Sequence, residues 1–122
     1  NNMKESQASI IFRHWLKANH LKFRSATFEV KSTRGKDIFN IKELKQEQIN
    51  HALACKSPQG NLMRTVGTTG IADYIFMKKS QAYVVIHYPK LLVVMDINII
   101  IKEKHNISSK RARQIATHSI DL

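Results

Sequence analysis

Apolar residues at Ala8, Ile11, Phe12, Trp15 and Leu16 recur at intervals of three and four, so the spacing predicts an amphipathic helix from Glu5 to about Asn19. The period then shortens to two. Leu21–Arg24 and Ala26–Lys31 read as extended structure anchored by Phe23 and Phe28, either as two short strands or as one bent strand. Asn40 followed by Glu43 is a capping-box pattern for a second helix. Its stripe is Ile41, Leu44, Ile49, Ala52 and Leu53, and its stop is Ser57-Pro58-Gln59-Gly60. Leu62–Val66 reads as a strand and Gly67–Gly70 as a loop. Ile71–Met77 and Ala82–Tyr88 are β-rich and predicted to form a hairpin through Lys78–Gln81, with Leu91–Met95 as a further strand. Asp96 can cap a helix running to about Lys104, although Ile99-Ile100-Ile101 is β-branched, and Ser108 can cap a last helix from Ser109 to about Thr117. This order of elements predicts one mixed α/β domain over residues 1–122, with helices covering a central sheet.

Charge adds a partner class. Twenty Lys and Arg residues face 9 acids in 122 residues, a formal net charge of +11. An excess of that size favours a polyanion, nucleic acid first, because each neutralised phosphate releases counterions. The basic residues run from Lys4 to Arg113 without clustering beside one apolar helix, and the apolar runs around Leu91–Met95 and Ile97–Ile101 are too short to span a bilayer, so no membrane is expected. Asn1–Gln7 is polar, unlike a signal peptide, and the single cysteine, Cys55, has no internal partner; together they predict a reducing, cytoplasmic setting. The six histidines show neither H-x-x-x-H spacing nor a cysteine partner, which argues against zinc.

The candidate chemistry lies in Thr27-Phe28-Glu29-Val30-Lys31. On a strand, Phe28 and Val30 face one way while Glu29 and Lys31 share the other, their Cα atoms roughly 6 to 7 Å apart. A carboxylate can hold a hard divalent cation, and a neighbouring ammonium can orient water or steady negative charge, two parts of a metal-assisted phosphodiester cleavage site. The same pair also reads as a cross-face ion pair on a solvated strand. Arg34 and Lys36 lie in the basic loop that follows and can meet phosphate. Lys42 lies on another face of the second predicted helix, and Lys110, Arg111 and Arg113 form a basic cluster on the last helix suited to a phosphate backbone. Gln48 places an amide on or beside the apolar face of the second helix, where it needs a partner in the backbone or in a site next to the sheet. Glu5, in the first turn of the first helix, suits the helix dipole.

The ordered set Phe28-Glu29-Val30-Lys31, Phe39 and Lys42, Gln48-Ile49-Asn50-His51 and Gly70-Ile71 resembles RecU-type Holliday-junction resolvases, also called penicillin-binding-protein-related factor A. These belong to the PD-(D/E)xK nuclease superfamily, and the similarity extends to Ser108-Ser109-Lys110-Arg111, some two-thirds of the chain. The resemblance implies a restriction-endonuclease-like fold and a Mg²⁺- or Mn²⁺-dependent endonuclease acting on branched or double-stranded DNA as a homodimer. Glu29, with the Val30 carbonyl, would ligate metal; Lys31 would position water or stabilise charge; Gln48 would support the site; and Glu5 would match the acidic residue of the first helix. The family's upstream aspartate has no counterpart, since His20–Thr27 contains no acid. Asp73 would replace it if its strand lay beside that of Glu29. Two alternatives accompany this reading: another nuclease of the superfamily with nicking or repair specificity, and a DNA-binding protein on the same fold that has lost its metal site.

Overall fold

The computed structural model describes residues 4–23, 25–66 and 72–122. Helix α1 (Glu5–Asn19) buries Ala8 and Phe12, as its spacing demands. The Lys4 N–H donates to Gln7 Oε1 at 3.0 Å at its start, and Asn19 Nδ2 donates to the Trp15 carbonyl at 2.8 Å at its end. The chain does not then enter a strand. His20–Lys22 form a 3-10 turn with Leu21 89% exposed, so the extended structure expected from Leu21 is replaced by a turn that returns the chain to the sheet. Phe23 still packs as an anchor, edge-on to Phe28 and Tyr83.

Strand β1 (Ala26–Ser32) carries the acid and the amine. It is followed by the short β2 (Ile38–Phe39), helix α2 (Gln46–Lys56), and strands β3 (Asn61–Val66), β4 (Ala72–Met77), β5 (Gln81–Tyr88) and β6 (Leu91–Asp96). The short α3 (Ile97–Ile100), β7 (Ile107–Ser108), α4 (Ser109–Ile115) and β8 (His118–Asp121) complete the order. The main sheet is four-stranded and mixed, ordered β1-β5-β6-β8, with β1 parallel to β5 and the other pairs antiparallel. Two-stranded pairings join β2 to β7 and β3 to β4. The protein is therefore a mixed α/β structure with helices against its sheet, as the order of elements predicts.

Residues Ala82–Tyr88 and Leu91–Met95 are buried without interruption, the mark of strands covered on both faces. On one face Val84, Ile86, Val93 and Met95 pack with Leu44 and with residues of α2, α3 and α4; on the other Val85, Leu92 and Val94 pack with Phe12, Trp15, Phe28 and Val30. Each such side chain contributes about 1.5–3 kcal/mol when fully buried. Parity along β1 thus sends Phe28 and Val30 to the α1 face and Glu29 and Lys31 to the α2 face, the alternation expected of the sequence.

Three local readings change. The predicted hairpin between Ile71–Met77 and Ala82–Tyr88 does not form: β4 pairs with β3, and β5 pairs with β1 and β6. Lys78–Ser80 instead form a neck held to the end of α2 by Lys79 N–H to the Ser57 carbonyl at 3.0 Å and by Ser80 Oγ to the Cys55 carbonyl at 2.8 Å. Asn40 caps a separate 3-10 turn, Ile41–Glu43, by accepting from the Lys42 N–H, and α2 starts only at Gln46. α3 ends at Ile100, well short of Lys104. The β-branched run there opposes longer propagation. The caps Asp96 and Ser108 act as expected, accepting from the N–H groups of Asn98 and Arg111. The loop at Gly67–Gly70 and residue Ile71 lie outside the described residues.

Tyr88, 1% exposed, donates its hydroxyl to the Ile107 carbonyl at 2.8 Å and so ties the end of β5 to β7. Burial, with a smaller contribution from Asp37, pushes the phenol's pKa well up, so it remains a donor at every physiological pH. Tyr88→Phe is expected to cost about 0.5–1.5 kcal/mol, because the Ile107 carbonyl loses the Tyr88 hydroxyl but keeps its place in the β2–β7 ladder, while the ring still fills its space. Chemical denaturation with an unchanged m-value checks this; equal stability of variant and wild type would show the bond to be dispensable.

Candidate functional site

β1 is an edge strand whose register can be read atom by atom. Gln81 N–H donates to the Ser25 carbonyl at 2.8 Å and Thr33 N–H to the His87 carbonyl at 3.0 Å, so the odd-numbered residues of β1 turn their backbone groups toward β5. The backbone groups of Phe28, Val30 and Ser32 therefore point to the other edge, where no strand pairs among the described residues. The Val30 carbonyl thus faces an open edge beside the Glu29–Lys31 pair.

The two side chains occupy unequal environments. Lys31 is 7% exposed and Glu29 39%, with Nζ and Oε2 4.0 Å apart. That separation is too long for a hydrogen bond, and it leaves room for an oxygen atom about 2.8 Å from each group. Burial raises the Glu29 pKa above the ordinary carboxylate value; Lys31 opposes the rise, Glu5 adds to it, and His51 opposes it. Glu5, on α1, therefore lies within the electrostatic reach of Glu29.

Helix α2 brings the remaining groups. A cavity beside β1 is lined by Thr27, Glu29, Gln48, His51, Met63 and Tyr83 among others. Gln48 serves twice: its Oε1 accepts from the Lys45 N–H at 3.0 Å, capping the start of α2, and its side chain borders the space next to Glu29. The polar residue near the apolar stripe thus has a backbone partner, one of the two that its position allows. His51, one turn further on, was not singled out by sequence reasoning as a site residue. Its signals were its place in the Gln48-Ile49-Asn50-His51 run and the three-residue spacing from Gln48, which puts both on one helix face.

Other expected residues lie elsewhere. β4 pairs with β3 and not with β1, so the strand of Asp73 is not beside that of Glu29, and the side chain of Asp73 lies outside what is described. Nonlocal pairing, invisible in the local pattern, makes the difference. Arg34 and Lys36 are exposed in the loop beyond β1, and Lys42 is exposed in the 3-10 turn. In the α4 cluster Lys110 is exposed, whereas Arg111 binds Glu103 through Nε–Oε1 at 3.0 Å and Nη2–Oε2 at 3.2 Å, and Arg113 pairs with Asp121. Those two guanidiniums already have carboxylate partners, which reduces their value as phosphate contacts.

Among the described residues, no three His, Cys, Asp or Glu side chains converge to hold a metal ion. A closed all-protein cage for zinc or calcium is therefore not built from them. Mg²⁺ makes a smaller demand, commonly one or two carboxylates with substrate oxygens and water. Glu29 and the outward Val30 carbonyl are hard-oxygen donors of the type that Mg²⁺ takes, and Glu5 is a further carboxylate within electrostatic reach of Glu29. No helix among the described residues is long and apolar enough to cross a membrane. Compared with known proteins, the chain matches no protein-family model, no curated protein and no solved structure.

Two measurements probe the site's electrostatics. The folded-state pKa of Glu29 lies above its unfolded value, so folding stability is fully present below the ordinary carboxylate pKa and part of it is lost as pH rises through the folded value. Glu29→Gln is therefore expected to raise Tm at pH 7 and to make little difference well below the ordinary carboxylate range. Because the side chain is 39% exposed, the gain should stay under about 1 kcal/mol, a few degrees at most. A variant that melts lower than wild type at pH 7 would contradict this environment. His51→Ala removes a charge that holds the Glu29 pKa down, so the Glu29 carboxyl should titrate at higher pH by carboxyl-carbon NMR; an unmoved titration would separate His51 from the site.

Proposed function

We propose that the protein is a Mg²⁺- or Mn²⁺-dependent endonuclease of the PD-(D/E)xK type with a restriction-endonuclease-like fold, acting on branched DNA in the manner of a junction resolvase. The observation that carries this reading is the half-buried carboxylate and buried ammonium 4.0 Å apart on an edge strand whose intervening carbonyl faces outward. The net charge of +11 supports a polyanionic substrate. A homodimer follows from the substrate, since paired strands cut in related positions call for twofold symmetry.

Glu29, the Val30 carbonyl and Glu5 would hold the cation. Bound there, Mg²⁺ would act as a Lewis acid on the phosphoryl oxygen and make water a better nucleophile. Lys31 is fixed by its burial and donates to the attacking water or to a non-bridging oxygen, where its charge offsets that developing in the transition state. Water's oxygen forms a bond to phosphorus and gives up a proton to solvent, the bond to the leaving sugar oxygen breaks, and that oxygen takes up a proton from solvent. Gln48 keeps the edge of the cavity polar, and its backbone cap holds the first turn of α2 in place.

A second reading, a DNA-binding protein without catalysis, is favoured by the absence of a three-carboxylate group among the described residues. Cleavage of a labelled four-way junction with and without Mg²⁺ separates the two. Lys31→Ala is expected to lower cleavage by about 10² to 10³, the loss typical of one transition-state donor, while the junction is still shifted in a gel. Mg²⁺ should also raise the Tm of wild type and not that of Glu29→Gln. Junction that is bound but uncut under every condition, with no Mg²⁺-dependent rise in Tm, would leave the binding protein as the better reading.

A further inference from the structure

The face that carries Glu29 and Lys31 continues past the end of β1. Thr33 extends the ladder through its N–H bond to the His87 carbonyl, so Thr27, Glu29, Lys31 and Thr33 share one face, with about 7 Å between successive Cα atoms. The chain then reverses through two left-handed residues, Arg34 at φ 56° and Gly35 at φ 88°. Arg34 N–H donates to Ser32 Oγ at 3.0 Å and Lys36 N–H to the Thr33 carbonyl at 3.3 Å, which closes the turn. With Ile38, Asn40 and Glu43, Thr33, Arg34 and Lys36 line a cavity of about 130 Å³. At ~30 Å³ per water, that space admits a tetrahedral oxyanion.

One group in this cavity's wall is unexplained by the fold. Thr33 is 6% exposed, and its Oγ1 makes no hydrogen bond. Buried hydroxyls nearly always have a partner, and a threonine hydroxyl can change its direction by rotation about a single bond. The residues beside it in the lining are two exposed cations, Arg34 and Lys36. Arg34 also keeps a long cationic side chain at a left-handed backbone position that Gly or Asn would occupy more easily.

We propose that the Thr33–Lys36 turn is a binding site for one non-reacting phosphate of the nucleic-acid strand, next along the face from the phosphate at Glu29. Thr33 Oγ1 donates to a phosphate oxygen, while Arg34 and Lys36 supply charge. Glu43 opposes the anion from the cavity wall. Assigning the phosphate to DNA rests on the nuclease reading; the existence of the anion site does not.

The first test is a titration of metal-free protein with inorganic phosphate against chloride at matched ionic strength, followed by amide NMR. Shifts concentrated on residues 33–36 are expected. Thr33→Val and Arg34→Gly should each weaken them about fivefold or more, and Glu43→Gln should strengthen them. Arg34→Gly relieves the left-handed backbone, so its Tm should hold or rise while binding falls, a combination that a merely structural role does not produce. Shifts scattered over surface lysines, or wild-type binding by Thr33→Val, would overturn the site. The second test measures affinity for branched DNA without divalent cations across a salt series. Arg34→Gly should weaken binding and flatten the salt dependence by about one unit of slope. Unchanged DNA affinity alongside lost phosphate binding would overturn the assignment to DNA. Neither test reads cleavage, so a protein that never cuts DNA can still pass both.

Discussion

Parallel pairing of β1 with β5 is the constraint from which the rest follows. It sets which backbone groups of β1 are consumed by the ladder and which remain on the open edge. It places Lys31 opposite Ile86 and Glu29 opposite Val84, two core residues that are fully buried. An ammonium on that face, two residues nearer the end of the strand, is covered, while the carboxylate still meets solvent. A parallel partner also requires a crossover, and the crossover helix α2 delivers Gln48 and His51 to the same cavity. The opposite face of β1 is aromatic. There Phe28 stacks on Tyr83 and meets Phe12 and Phe23, which anchors the strand without using any polar group.

Local pattern carried a large part of this architecture. The α1 stripe, the alternation of β1, the buried runs of β5 and β6 and the caps at Asp96 and Ser108 depend on neighbours within a few residues, and each was legible. Partner choice was not. β4 and β5 are joined by a short polar connection that resembles a turn, yet β4 finds its partner upstream in β3, and the connection serves as a neck bonded to Ser57 and Cys55. Asn40 and Glu43 fit a cap pattern, but the turn they open closes after Glu43, and Lys45 with Gln48 opens the true helix. In the site, Glu29, Lys31 and Gln48 were legible because period two and period 3.6 place them. His51 closes the Gln48-Ile49-Asn50-His51 run without a role of its own there, and Thr33 carries no pattern until the strand and helix are set side by side.

Net charge and local chemistry also separate in space. The basic residues that look most like a cluster in sequence, Arg111 and Arg113, are held by Glu103 and Asp121, so their charge is partly neutralised within the molecule. The +11 excess acts at longer range and would draw a polyanion toward the surface without choosing a point on it. On the proposed reading, the choice of point would belong to groups held in one place, such as the covered Lys31 and the Thr33 turn.

On the nuclease reading, this separation makes a cation necessary and not merely helpful. The ionised form of Glu29 is already disfavoured by burial and by the neighbouring charge of Glu5, and a phosphodiester brought to the same edge adds another negative charge. Lys31 supplies one positive charge at 4.0 Å, which cannot balance a carboxylate and a phosphate together. Without a further cation, the approach of DNA would raise the Glu29 pKa further, in the same direction as burial and Glu5. On that reading, a divalent ion held by Glu29 would supply the missing positive charge and would favour the ionised carboxylate, so that the half-buried acid would link substrate binding to catalysis.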